Sequence, residues 1–171
     1  IGSLVRHAGQ DESITPQLHR ESGGLPFFVV EYLDALARGE DPSGDWPMPG
    51  GVKELLGSRL SGLGELARQV IAAAAVLGRS FDAETVRVAS GRTDEETVSA
   101  LEDLLARGLL TEAINEGFDF RHEQARELVV DGMTLARRRL LHRRAAGALA
   151  VRGRRDEQAA ERKRMQDQLA R

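Results

Sequence analysis

The chain has 171 residues, of which 41% are hydrophobic, 30% charged and only 4% aromatic, so it can bury a mainly aliphatic core in one ordinary domain or two small ones. A formal net charge of −3 supplies no overall attraction to nucleic acid or a membrane surface, and the lack of cysteine excludes disulfides, thiol nucleophiles and thiolate metal sites. No apolar run approaches the roughly 20 residues that span a bilayer, and "IGSLVRHAGQ" lacks the basic start and long apolar centre of a signal peptide. A soluble cytoplasmic protein is the default expectation. Because the sequence opens without Met inside a helical pattern, a piece of something longer is expected.

Apolar spacing predicts helices almost throughout. A short helix around Leu4–His7 precedes "ITPQLHRES", for which Thr15 is a candidate N-cap and Pro16 a first helical residue. "SGGLPFF" then turns the chain: Gly23 or Gly24 can take the positive φ that ends a helix, and Pro26 suits the first position of the next. That next helix, "PFFVVEYLDALAR", turns either Phe28, Tyr32 and Leu36 or Phe27, Val30 and Leu33 inward. "GEDPSGDWPMPGG" reads as a linker and the best domain boundary, giving expected units of 1–40, a linker at 41–51, 52–133 and 134–171.

The second unit begins with "VKELLGSRLSGL" and "GELARQVIAAAAVLG", the latter apolar on most sides. A short helix capped by Asp82 follows Phe81. In "RTDEETVSALEDLLARG", Thr93 and Glu96 predict a capping box, Val98, Leu101, Leu104 and Leu105 one apolar face, and Gly108 the end. "LLTEAI" and "FDF" predict two short strands joined by a turn at 115–117. The helices "EQARELVVDGM" and "LARRRLLHRRAAGALAVRG" follow, and the charged tail has an apolar seam too thin to fold unaided. The fold class is thus mainly α: a helical lid, then a winged helix (three helices and a two-stranded wing), then C-terminal helices.

Catalytic signatures are missing from the sequence. There is no G-x-x-x-x-G-K-[ST] loop, the only lysines are Lys53 and Lys163, and the four histidines form no metal-ligand spacing, so neither a catalytic nor a metal site is expected. The helix before the wing carries five acids against Arg107, which opposes contact with a phosphate backbone. The basic residues cluster later, at Arg137, Arg138, Arg139, Arg143 and Arg144, as a candidate patch for nucleic acid or a partner, or simply a solvated face. His122, at the start of a helix, has an imidazole suited either to an anion or to an ordinary surface role.

Taken in order, "SGGLPFFVVEYLDAL", "PGGVKELLGSRLSGL", "ARQVIAAAAVLGRSFDAETV" and "FDFRHEQARELVVDGM" resemble the back half of the nucleotide-binding module in signal-transduction ATPases with numerous domains (the STAND class). They are particularly similar to large ATP-binding transcriptional activators of the LuxR-like and SARP-like families, and to the regulatory ATPase region attached to some adenylate cyclases. The resemblance covers roughly residues 1–150 and rests on order and spacing. It implies a regulatory fragment without catalysis of its own, working as a nucleotide-sensing interdomain switch. "GGLPFF" would be the lid motif, with Gly24 and Pro26 against the nucleotide, and "FRHE" would place His122 near the β-phosphate of ADP. Leu25 stands where bacterial relatives more often have Asn, and Glu123 where Asp is usual in plant relatives. ATP or ADP would bind the whole protein rather than this piece. The implied partners are an N-terminal P-loop domain, further copies on activation, and DNA through another domain, with no membrane. A DNA-binding module using the arginine helix and a helical interaction scaffold leading into helical repeats are the alternatives.

Overall fold

The computed structural model describes the backbone of residues 1–9, 11–39, 48–114 and 116–169. It is mainly helical, with a small antiparallel sheet of three strands. Most of the expected linker and residue 115 of the expected turn lie outside the described residues.

The N-terminal helices are α1 (Gly2–His7), α2 (Thr15–Ser22) and α3 (Pro26–Ala37), with one 3-10 turn at Glu12–Ile14 before α2. Thr15 lies inside α2 rather than capping it; the flanking position is Ile14, which makes no side-chain cap bond. Gly23 and Gly24 both adopt positive φ, 59° and 78°, and Pro26 opens α3. Phe28, Val29, Tyr32 and Leu33 face inward, whereas Phe27 and Val30 are exposed and Leu36 is partly buried, so the inner face takes Phe28 and Tyr32 from one expected set and Leu33 from the other. Val29, Tyr32 and Leu33 join Val5 and Leu18 in a small N-terminal core, while Phe28 reaches into the main one.

The main body comprises α4 (Gly50–Ser61), α5 (Glu65–Leu77), β1 (Ser80–Phe81), α6 (Ala83–Ser90), α7 (Asp94–Ala106), β2 (Leu110–Glu112), β3 (Phe118–Phe120), α8 (Glu123–Asp131) and α9 (Leu135–Leu169). Its centre is α5, where Ala67 and Val70 to Ala75 are buried and the alanines let neighbouring helices approach closely. Asp82 caps α6 through the Thr85 amide, and Thr93 with Glu96 forms the capping box of α7. On α7, Thr97 and Ala100 take the inner positions beside Leu101 and Leu104, so Val98 is left half exposed.

The sheet has the order β1-β3-β2, with Ser80 opposite Asp119 and Leu110 opposite Phe120. β1 goes beyond the expected two-stranded wing. A strand of two residues carries no readable alternation, but Phe81 gives it away in space by packing on Phe118 and Phe120. Gly117 has a packing reason, because a Cβ there would meet the Phe81 carbonyl oxygen at 3.0 Å.

α9 continues to Leu169, through the tail for which unaided folding was not expected. It docks through Leu141, Ala145 and Ala148, one stripe of the helix, against the core around α5 and α6. None of the described helices is long and apolar enough to cross a membrane.

Candidate functional site

The site-forming residues meet where the N-terminal helices rest on the start of α8. His122 is the N-cap residue of α8 and caps nothing with its side chain. Its ring is only 3% exposed, covered by the edge of Phe28 at a centroid distance of 4.8 Å and by the Gly23–Gly24 turn. A Cβ at Gly23 would lie 3.0 Å from His122 Nδ1, so glycine is needed there for close approach as well as for its φ of 59°.

Among the described residues, neither ring nitrogen of His122 has a hydrogen-bond partner. Burial, then the charges of Arg121, Arg59 and Arg79, push its pKa down to about 4, so the ring is neutral near pH 7. A neutral imidazole carries one N–H and one lone pair, and here neither is satisfied. Such groups are rare in folded interiors and call for an explanation.

Gln124, two residues on, fastens the same contact. Its side-chain amide donates to the Glu21 carbonyl oxygen, the Glu21 carboxylate and the Tyr32 hydroxyl, the last two at 3.3 Å. Gln124 was not among the expected site residues. Its signal is that it shares a helical stripe with Leu128, where an apolar residue would be ordinary. Glu21, Tyr32 and Phe28 depend on a contact across some hundred positions of sequence, which no local pattern encodes.

Pro26 lies close in sequence to this contact but points elsewhere. Positions 26 and 28 are about 200° apart around a helix. Phe28 therefore covers His122 while Pro26 is exposed. Gly24 is partly buried, with His19 beside its α-carbon. The fit to a nucleotide is thus partial: the proline ring is accessible, but a phosphate would reach His122 only once the Gly23–Gly24 turn had moved away.

Beside Gln124 a polar cleft of about 710 Å³ separates α2 and α3 from α8. Arg20, Arg79, Arg126, Glu123, Glu127 and Asp131 line it with Tyr32. Burial and then the Glu21 charge push the Tyr32 hydroxyl up to about 12. Burial, then Glu123 and Glu21, raise the Glu127 carboxyl above its ordinary range.

The five arginines of the expected patch at the start of α9 divide. Arg138 donates to the Val130 carbonyl and Arg144 to the Ser90 carbonyl, so both fix the fold. Arg137, Arg139 and Arg143 are exposed. Further along, Arg152 pairs with Asp82 and Arg155 with Glu84, tying α9 to the start of α6. Among the described residues no group of His, Asp and Glu is arranged to hold a metal ion.

No protein-family model, curated protein or solved structure matches the chain.

Proposed function

We propose that the chain is the lid and winged-helix part of a multidomain nucleotide-binding transcriptional regulator of the STAND type, a switch element without catalysis of its own. The order α5, β1, α6, α7, β2, β3 supports the winged-helix reading, since a short strand after the first helix completes the sheet that the wing begins. The observation that carries the switch reading is the unpaired His122 ring sealed under the Gly23–Gly24 turn. Sealed, it holds the N-terminal helices against α8 by packing. Unsealed, it presents an N–H at a helix N-terminus, a place suited to a phosphate oxygen. Bound nucleotide would supply the anionic phosphates; the residues here would sense them through the position of the turn. DNA binding through α9 is the weaker reading, because Arg138 and Arg144 are already engaged and α7 is acidic.

Two calorimetric titrations test the proposal. The chain alone is expected to bind ADP no better than millimolar. In the longer protein that includes a preceding nucleotide-binding domain, His122→Ala is expected to weaken ADP binding about tenfold, the loss of one charge-assisted hydrogen bond. Micromolar ADP binding by the chain alone, or unchanged affinity in the variant, would overturn it.

A further inference from the structure

A second cavity lies at the far end of α8 from His122, where the α4–α5 and α8–α9 connections meet. Its volume is about 510 Å³, within the roughly 300–1,000 Å³ of clefts that hold small ligands. Leu60, Leu63, Ile71, Leu128, Val129 and Met133 give it a mainly apolar lining. Ala72 also lines it, and its short side chain leaves the wall of α5 open at that point.

The lining also includes charged side chains. Arg137, in the first turn of α9, lines the cavity with an exposed side chain, while its backbone N–H is capped by the Thr134 hydroxyl at 3.2 Å. Arg68 lines it too. That side chain donates to the Leu63 carbonyl at 2.8 Å and pairs with Glu65 at 3.4 Å, so its charge is largely answered within the protein. Among the described residues, Arg137 is therefore the lining cation left for an incoming group, and it stands at the positive end of the α9 dipole. The lining residues Arg68, Arg137 and Glu65 sum to a single positive charge.

We propose that this cavity binds a small amphipathic acid, an aliphatic or aryl body with one carboxylate, the body against α5 and α8 and the carboxylate on Arg137. The site is separate from the His122 contact and does not rest on the switch reading. An apolar body gains by leaving water, and a charge-assisted hydrogen bond from the guanidinium selects the acid over its neutral analogue. A neutral ligand would leave the arginine unanswered; a wholly polar one would waste the lining.

Methyl NMR titration of the chain with octanoate, octanol and acetate tests this. Octanoate is expected to shift the Met133, Leu128 and Val129 methyls saturably, with acetate inert and octanol about tenfold weaker, one charge-assisted hydrogen bond. Arg137→Gln, an exposed change that keeps the fold, should weaken octanoate about tenfold and leave octanol as it was. Ala72→Leu, which fills the cavity, should abolish both. If octanoate and octanol bind alike and Arg137→Gln changes neither, the acid class is wrong. If no ligand shifts the Met133 methyl, or the shifted methyls lie elsewhere, there is no such site.

Discussion

His122 stores a pH dependence with a definite sign. Its folded pKa, about 4, lies below the ordinary 6.5, so the stability it contributes is full above about pH 6.5 and is lost as pH falls through 4. The shift is worth about 3 kcal/mol. Glu127 works the other way: its raised carboxyl favours the folded state in acid and that gain is lost as pH rises through its folded pKa. Replacing His122 by Leu should therefore flatten the acid limb of a urea-denaturation series between pH 6.5 and 4; an unchanged limb would show that the ring is not buried neutral. Gly23 offers a second test. Gly9 and Gly23 share a left-handed φ, 69° and 59°, but a Cβ at Gly9 meets nothing within 4 Å. Gly9→Ala should cost about 1 kcal/mol of backbone strain, and Gly23→Ala about 1–2 kcal/mol more through contact with His122, as read from denaturation midpoints. The sequence showed Gly23 and Gly24 as a turn and His122 as notable. It did not show that Gly23 and His122 touch, because that needs a contact between segments with independent local patterns.

At the scale of elements, caps were the most legible features, since they are written within four residues. Thr93 with Glu96 and Asp82 with Thr85 form as their spacing predicts. Thr93→Ala should cost about 1 kcal/mol in the same assay. Thr15 failed as a cap because Ile14 and Asp11 organise the turn before it, the Asp11 carboxylate accepting from the Ser13 amide. β1 was illegible for a different reason: two residues cannot display a period, and only pairing with β3 makes them a strand. α9 combines both cases. Its inner stripe of Leu141, Ala145 and Ala148 follows helical spacing, but which arginines face inward depends on carbonyls of other elements. Past Ala148 the described side chains are exposed, and the Arg155–Glu84 pair is a surface contact. Removing residues 157–171 should then change stability by less than about 1 kcal/mol, whereas Leu141→Ala should cost about 2–5 kcal/mol.

For the whole molecule, the question is how the N-terminal helices are joined to the main body. Phe28 belongs to the main core although its helical neighbours Val29, Tyr32 and Leu33 belong to the smaller one, so α3 bridges the two. Gln124 supplies the polar counterpart through Glu21 and Tyr32. An apolar plug and a hydrogen-bonded clasp thus meet at one helix start. The most direct measurement is the NMR titration of the His122 ring in the intact chain, with contacts from its protons to Gly23 and Phe28. The docked joint predicts a pKa near 4 and both contacts present at pH 7. A pKa near 6.5 with neither contact would mean that the N-terminal helices do not rest on α8.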